Sequence, residues 1–134
     1  MIIMSKAVER TIPTPIPTED TKIFWEMANA GRFFIKRCQS CRQVHWYPRA
    51  LCPFCFSNDT VWAEGSGRGS IYSFSIMRQT PQPFVVALVT LQEGPTMLTN
   101  IVDCDFDALS IGKTVEVVLK ATNDGQKIPV FRLV

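Results

Sequence analysis

Four of the five cysteines in this chain form two pairs with identical spacing. The pairs are Cys38 with Cys41 and Cys52 with Cys55, and ten residues separate them. A Cys-x-x-Cys turn holds two thiolates close together, so two such turns supply the four soft ligands that tetrahedral Zn²⁺ prefers. The spacing therefore predicts a structural zinc site with these four cysteines as its ligands.

Three other chemistries use paired cysteines, namely disulfides, a redox dithiol and iron held by thiolates. The apolar stretch at the N-terminus ends before Ser5, which is too short for a secretory signal, so we expect a cytoplasmic protein with reduced thiols. A redox Cys-x-x-Cys usually works as a single pair at a helix N-terminus, whereas this chain has two pairs in a turn-rich stretch. Zinc is favoured, and iron stays open as the alternative metal.

The composition is that of a chain that can build a core without spanning a membrane. Hydrophobic residues make up 46% of its 134 residues, and no apolar run reaches the length of a membrane-spanning helix. The formal net charge is +2 and no cluster of four Lys or Arg residues occurs, so the usual electrostatic pattern of a nucleic-acid-binding protein is missing. We expect no membrane association, and nucleic acid is a disfavoured partner.

The sequence lacks a set of residues that would support catalysis. His45 is the only histidine, and a zinc shell filled by four thiolates leaves no open position for chemistry. We expect His45 to lie in a loop on the surface of the metal-binding region. Cys104 stands between Asp103 and Asp105, whose charges raise a thiol pKa, so it is expected to be inert. No catalytic residue is predicted.

Two patterns precede the first cysteine. Pro13, Pro15 and Pro17 occupy alternate positions, which excludes a helix and favours an extended arm. This arm either lies on a partner or forms a loosely ordered tail. Apolar residues then recur at helical spacing and Gly31 follows them, so we expect a helix over residues 19–30.

The remainder of the chain is predicted to form strands. Short strands are expected at residues 33–37 and 60–64, and the glycines of residues 65–69 are interpreted as a hinge because a strand follows them directly. Five further strands are expected at residues 70–76, 84–91, 96–102, 114–120 and 128–134, with a hairpin turn at Asn123-Asp124-Gly125. Five strands without a long helix are the inventory of a small closed barrel such as the OB-fold.

These motifs together resemble the DUF35 family over nearly the whole chain. Their order is a helix ended by Gly31, Cys38-x-x-Cys41, Pro48, Cys52-Pro53-x-Cys55, Gly67-x-Gly69, Leu91-x-x-Gly94 and Ile111-Gly112. The resemblance implies a mainly β protein with an N-terminal helix, a rubredoxin-like zinc ribbon and a C-terminal OB-fold β-barrel. We expect the arm and helix at residues 1–31, the zinc ribbon at residues 32–66 and the OB-fold at residues 67–134.

The resemblance also implies a function. Members of the family accompany thiolase-superfamily enzymes. These include thiolase-like aldolases and the pair formed by acetoacetyl-CoA thiolase and hydroxymethylglutaryl-CoA synthase. Other members accompany MaoC-like hydratases. The chain is therefore expected to be a non-catalytic accessory or scaffold subunit of an acyl-CoA-processing complex. Contact with CoA or acyl-CoA at a site shared with the enzyme is a further implication, although no spacing singles out arginines for its phosphates.

One departure from the family pattern concerns the backbone at the metal site. Relatives usually carry Gly after the second cysteine of each pair, where the backbone tends toward positive φ, whereas this chain has Arg42 and Phe56. A residue other than Gly in that conformation costs roughly 1 kcal/mol, which is small beside a zinc-site folding energy on the order of 10 kcal/mol. We therefore expect an intact metal site with strained turns.

Aromatic residues are concentrated around the cysteine pairs. They are Phe33, Trp46, Tyr47, Phe54 and Phe56. A ribbon this small cannot bury all of them, so Phe33, Trp46, Tyr47 and Phe56 are predicted to contact a partner. In the alternative interpretation, they pack on the apolar residues of the helix, Phe24, Trp25 and Met27.

A nucleic-acid-binding module is the alternative function, because zinc ribbons and OB-folds both serve that use. An OB-fold that binds single strands needs a basic groove with exposed stacking aromatics. Residues 70–134 instead carry five basic and six acidic side chains. The charge balance therefore disfavours this function.

Overall fold

The chain folds into a short helix, a three-stranded antiparallel sheet and a closed five-stranded barrel. A computed structural model describes residues 10–134, and residues 1–9, the start of the predicted segment 1–31, lie outside the described residues. The elements are α1 (Lys22–Asn29), β1 (Phe34–Cys38), β2 (Val44–His45), β3 (Thr60–Glu64), β4 (Arg68–Met77), β5 (Phe84–Leu91), β6 (Thr96–Ile101), a 3-10 turn (Phe106–Ala108), β7 (Thr114–Ala121) and β8 (Lys127–Leu133). Between residues 10 and 134 no helix is long and apolar enough to cross a membrane.

The helix α1 is shorter at its start than the predicted range of residues 19–30. It begins at Lys22, and the Thr21 hydroxyl accepts a hydrogen bond from the backbone N–H of Thr18 at 2.9 Å instead of capping the helix. The preceding residues are therefore held in a turn of their own. At the other end Gly31 has φ +83°, the left-handed conformation that ends helices and favours glycine.

The three-stranded sheet has the order β2-β1-β3 and carries the first cysteine pair. Strand β1 pairs antiparallel with β3 over its whole length, from Phe34 opposite Glu64 to Cys38 opposite Thr60. This pairing fixes the position of Cys38 at the end of a strand. The change from this sheet to the barrel falls between Glu64 and Arg68, and the domain limits 32–66 and 67–134 stay a prediction.

The barrel has the strand order β4-β5-β6-β8-β7, and antiparallel pairing of β4 with β7 closes it. All five predicted strands are present, each within two residues of its expected limits. Neighbours pair antiparallel except β6 and β8, which run parallel and meet at Ile101 and Phe131. A closed five-stranded barrel of this kind is an OB-fold, so the prediction of a mainly β protein with an OB-fold is confirmed.

Four aromatic rings connect the helix, the ribbon sheet and the barrel, and we call them the aromatic junction: Phe24, Phe33, Trp46 and Phe131. The Phe24 ring centroid lies 4.7 Å from that of Trp46 and 6.2 Å from that of Phe33. The Phe33 ring in turn meets Phe131 edge to face at 6.4 Å. Because each ring comes from a different segment, the junction joins all three parts into one core.

The proline-rich arm lies on the protein's own barrel. The guanidinium of Arg10 stacks 3.9 Å from the ring centroid of Phe84, at the start of β5. Farther along, the carbonyl of Ile12 accepts a hydrogen bond of 3.1 Å from the backbone N–H of Asn123, in the β7–β8 loop. Residues 10–18 are thus not a loose tail, and contact of their exposed side with a partner stays a prediction, since Ile16 exposes 88% of its area.

Glycine at position 67 permits a close approach between the ribbon exit and the barrel. Gly67 is buried with φ +74°, and a Cβ atom there would lie 2.5 Å from Cγ1 of Val117. Its carbonyl accepts a 2.7 Å hydrogen bond from the Val117 backbone N–H. Packing therefore explains this glycine, and the hinge motion of residues 65–69 stays a prediction.

Replacing Gly67→Ala should destabilise the fold by about 2–4 kcal/mol, since the positive φ and the contact with Val117 both oppose a methyl group. The matched control is Gly125→Ala, where φ is also positive but no atom lies within 4 Å. That variant should lose only about 1–2 kcal/mol. Urea unfolding of the metal-loaded protein measures both, and Val117→Ala should partly rescue Gly67→Ala. Equal losses in the two glycine variants would contradict the packing argument.

Candidate metal centre

The four paired cysteines converge in space as the sequence predicts. The Sγ atoms of Cys38 and Cys55 are 3.5 Å apart, those of Cys41 and Cys52 are 3.7 Å apart, and all four lie within 4.8 Å of one another. A zinc ion with Zn–S bonds of about 2.3 Å has tetrahedral S···S edges of about 3.8 Å. The four sulfur atoms therefore fit a tetrahedral metal ion.

Backbone hydrogen bonds shape the two turns, or knuckles, that carry the sulfurs. The N–H of Cys38 donates to the carbonyl of Gln43, and the N–H of Cys52 donates to the carbonyl of Ser57, both at 2.9 Å. The hydroxyls of Ser40 and Ser57 then join the two knuckles at 2.8 Å. Local turns thus shape each knuckle, and the contact between Ser40 and Ser57 brings the two knuckles together.

The surroundings of the thiols favour one thiolate before any metal binds. The backbone N–H of Cys41 lies 3.5 Å from the Cys38 sulfur and is the main cause that lowers the pKa of Cys38 to about 6. The backbone N–H of Gln43 acts to lower the pKa of Cys41, but burial and the neighbouring thiols outweigh it and raise that pKa to about 11. Metal binding must therefore displace protons from the remaining thiols.

Two residues after the cysteine pairs adopt the strained backbone that the sequence predicts. Arg42 has φ +66° and Phe56 has φ +64°, although neither is a glycine. The left-handed conformation brings Cβ close to the following carbonyl oxygen. The expectation of strained knuckles is confirmed.

His45 does not lie on the surface, so that expectation is wrong. It belongs to β2 and exposes only 2% of its area, because the pairing of β2 with β1 carries it into the interior. Both ring nitrogens are inaccessible to solvent, and the backbone of Arg49 is the hydrogen-bonding group beside the ring. Burial, followed by the nearby charge of Lys36, lowers its pKa. Strand β2 contains only two residues, so its sequence is too short to show an alternating pattern that would predict this burial.

The four aromatic residues predicted to contact a partner divide into two groups. Phe33 exposes 5% of its area and belongs to the aromatic junction, so its predicted place on a partner surface is corrected. Trp46 is half-buried against Phe24. Tyr47 and Phe56 expose 42% and 75% of their areas, so only these two are well placed to meet another protein.

A surface beside the second cysteine pair carries exposed apolar side chains. We call it the knuckle surface and define it as Leu51, Phe54 and Phe56, which expose 51%, 54% and 75% of their areas. The exposure of Leu51 was not predicted from the sequence, although an apolar residue directly before Cys52 is a signal for such a surface. The knuckle surface is fixed by the same turn that supplies two of the four sulfurs.

Cys104 stands apart from the four clustered cysteines. It is buried, and its pKa is raised by burial first and then by the charges of Asp103 and Asp105. The predicted direction is confirmed, with burial as the larger cause. A protonated, buried thiol is a poor nucleophile.

Two family models match successive parts of the chain. The model described as "ChsH2, rubredoxin-like zinc ribbon domain" covers residues 25–61, and "ChsH2, C-terminal OB-fold domain" covers residues 62–120. A DUF35 domain-containing scaffold protein of Methanothermobacter thermautotrophicus is 35% identical over 96 residues, which are 66% of this chain and 71% of that protein. The chain belongs to the DUF35 family. The predicted zinc ribbon and OB-fold are the domains that the family models describe.

Solved structures agree with the membership in DUF35. A structure described as an Ltp2-ChsH2(DUF35) aldolase superposes with a TM-score of 0.81 at 33% identity, covering 90% of this chain and 98% of that one. A DUF35 protein of unknown function from Sulfolobus solfataricus has a TM-score of 0.65 at 13% identity, covering 87% of this chain and 86% of that one, which shows the fold alone.

A longer relative of this DUF35 protein contains a region like the whole chain. The probable enoyl-CoA hydratase alpha subunit of Thermomonospora curvata is 34% identical over 125 residues. The match covers 90% of this chain but only 39% of that subunit. The chain thus spans about two fifths of this relative's length.

Replacing Cys52→Ser should abolish stoichiometric metal binding, because a tetrahedral site with three thiolates binds zinc much more weakly. We expect one zinc ion per chain in the unchanged protein, measured by elemental analysis, and a Co²⁺-loaded form with thiolate charge-transfer absorption. Cys104→Ser is the control and should keep both properties. Full zinc content in the Cys52→Ser protein, or iron in the unchanged one, would contradict the assignment.

Replacing Arg42→Gly should stabilise the metal-loaded protein by up to about 1 kcal/mol, because glycine adopts φ +66° without a clash. The control Arg37→Gly makes the same side-chain change inside strand β1, where glycine is unfavourable by roughly 0.5–1 kcal/mol. Thermal unfolding with bound zinc should therefore shift in opposite directions for the two variants. A shift in the same direction would argue against strain at Arg42.

Proposed function

We propose that this protein is a non-catalytic accessory subunit that docks on an acyl-CoA-processing enzyme, either a member of the thiolase superfamily or a MaoC-like hydratase. The names of the relatives support this assignment, since they include scaffold proteins, a probable hydratase subunit and a ChsH2 domain described together with the Ltp2 aldolase. The match to 98% of a chain of that aldolase structure supports a comparable role for this protein.

The knuckle surface is the observation that carries the proposal. Its three apolar side chains project beside the metal centre, where the small ribbon offers no interior to cover them. Clustered exposed apolar groups of this kind mark protein contacts, and aromatic residues dominate the binding energy of such contacts. Tyr47 extends the same apolar character along the loop between the two knuckles.

The charge around the knuckle surface favours an acidic partner. Residues 27–58 contain five basic side chains and no Asp or Glu. A net positive charge remains even when four thiolates and one Zn²⁺ are counted. Complementary charge speeds association and sets the orientation of docking, so the partner's surface is expected to carry acidic groups around an apolar centre.

Zinc has a structural role in this proposal. Cys38, Cys41, Cys52 and Cys55 would hold the ion, and four thiolates leave no position for a substrate or a water molecule. The ion would fix both knuckles and thereby the apolar side chains that they present. Contact with CoA or acyl-CoA at a site shared with the enzyme stays a prediction of the family resemblance.

The chemistry of the described residues supports a non-catalytic role. His45 is buried with a lowered pKa, and the Cys104 thiol is buried with a raised pKa. Neither group is poised to transfer a proton or attack a carbonyl at neutral pH. The reacting groups of the complex would then come from the enzyme.

The nucleic-acid alternative is less well supported. OB-folds bind oligonucleotides on the face formed by their second and third strands, between the loops that flank it. In this barrel those strands are β5 and β6, and the arm of residues 10–18 bridges from Phe84 to the β7–β8 loop. Leu98, exposed at 67%, lies on β6 where a stacking or basic side chain would be needed.

Affinity capture of the tagged protein from its native lysate tests the proposal. We expect a thiolase-superfamily enzyme or a MaoC-like hydratase to be recovered, and Phe54→Ser with Phe56→Ser should reduce recovery about tenfold or more, because central aromatic contacts dominate such interfaces. The matched control is Tyr72→Ser with Leu98→Ser, which removes two equally exposed apolar side chains from the barrel. It should leave recovery unchanged.

Two results would contradict this function. Recovery of RNA or DNA, lost at moderately raised salt, would favour the nucleic-acid module, because phosphate contacts are sensitive to salt. Recovery of the enzyme with undiminished yield in the Phe54→Ser, Phe56→Ser protein would remove the knuckle surface from the interface.

A further inference from the structure

Strand β6 is fully paired along one edge and almost unpaired along the other. On one side it pairs with β5 at every residue from 96 to 101. On the other side its pairing with the parallel strand β8 consists of Ile101 opposite Phe131. Within residues 10–134, the edge of β6 from Thr96 to Asn100 therefore has no strand partner on the side of β8.

One hydrogen bond shows which backbone groups of β6 face this open edge. The N–H of Val102, directly after the strand, donates to the carbonyl of Phe131 in β8 at 2.8 Å. Backbone groups of successive residues in a strand point to opposite sides, so Leu98 and Asn100 direct their N–H groups to the same side as Val102. These donors face away from β5, where a further strand would lie.

The open edge lacks the features that usually protect such an edge. Edge strands are commonly blocked by charged residues, above all lysine, or by proline. Residues 96–101 contain no charged residue and no proline. An unprotected edge presents a row of donors and acceptors that matches the backbone of another extended chain.

A groove of about 410 Å³ lies along the open edge. Leu98 and Asn100 line it on the side of β6, and Pro129 lines it on the side of β8. Every side chain that lines the groove is uncharged, and a charged group left unpaired in such surroundings is costly. The groove therefore favours an uncharged occupant.

The shape of the groove favours a single extended segment over a second copy of the folded protein. Its remaining walls come from residues 13–15 of the arm and from Trp46 and Tyr47 of the ribbon. The β6 edge of a second copy would be recessed behind the same walls, so the two edges would not meet. A lone extended segment needs only the spacing of one strand, about 5 Å.

We propose that the open edge of β6 binds an extended, uncharged segment of another polypeptide, which joins the barrel as an additional strand. The backbone groups of Leu98 and the N–H of Asn100 would hydrogen-bond to the segment. Alternate side chains of the segment would enter the groove beside Tyr47, which exposes 42% of its area. In this mode of recognition, main-chain hydrogen bonds give affinity and side-chain pockets give specificity. The site is separate from the knuckle surface and does not rest on the accessory function.

Amide hydrogen exchange of the zinc-loaded full chain tests the proposal, with the capped peptide acetyl-Thr-Val-Thr-Val-Thr-Val-amide as the probe. In the free protein, the amides of Leu98 and Asn100 should exchange about tenfold faster or more than those of Met97 and Thr99, which face β5. The peptide should bind with a Kd below about 1 mM and slow exchange at Leu98 and Asn100 alone. Protection of Leu98 in the free protein, or no binding up to that concentration, would overturn the proposal.

Two N-methylated forms of the peptide are matched controls for the strand pairing. One carries methyl groups on the three valine nitrogens and the other on the three threonine nitrogens, so both keep every side chain. Because alternate N–H groups of a strand face the same edge, one form should bind about tenfold more weakly or worse and the other within about threefold of the parent peptide. Equal binding by the two methylated forms would argue against an added strand.

A pair of substitutions at position 98 separates the backbone from the side chain. Leu98→Pro removes one edge N–H, which an edge strand tolerates, and should weaken peptide binding about tenfold. Leu98→Ala keeps the N–H and should stay within about threefold of the unchanged protein, because the main chain supplies the affinity. Unchanged signals from the β5 amides would show that both variants are folded.

Three further results would contradict the proposal. Peptide binding at full strength in Leu98→Pro would place the probe elsewhere. Binding that appears only after removal of residues 1–9 would assign the edge to the N-terminal segment of the chain itself. A dimer in sedimentation that Leu98→Pro converts to a monomer would assign the edge to a second copy.

Discussion

The packing of Phe33 is the contact on which the arrangement of this protein depends. This residue directly precedes β1, which delivers Cys38 to the metal site, and its ring packs edge to face on Phe131 of the barrel. A ribbon of this size buries too little apolar surface to be stable alone. The aromatic junction therefore gives the ribbon a shared core, and it sets the angle at which the knuckles face outward.

This arrangement also explains which aromatic residues remain exposed. Phe33 and Trp46 pack toward α1 and the barrel, whereas Phe54 and Phe56 belong to the second knuckle and stay exposed. The second knuckle carries two of the metal-binding sulfurs as well as these exposed side chains. Structural order at the metal and apolar exposure beside it are consequences of the same geometry.

The parts predicted correctly from the sequence are those set by local rules. Cysteine spacing brings four sulfurs together, period-two patterns give the barrel strands, and the positive φ of Arg42 follows from its place in the turn. The errors concern contacts between distant segments. The sequence around Phe33 does not predict its contact with Phe131, and the sequence around His45 does not predict that β2 is buried. Alternate prolines predict an extended arm but not the surface on which it lies.

The ribbon region and the barrel region differ in net charge. All acidic residues lie outside residues 27–58, while residues 70–134 carry one more acidic than basic side chain. An acidic partner would thus attract the ribbon and repel the barrel, and this difference would orient the protein before apolar contacts form.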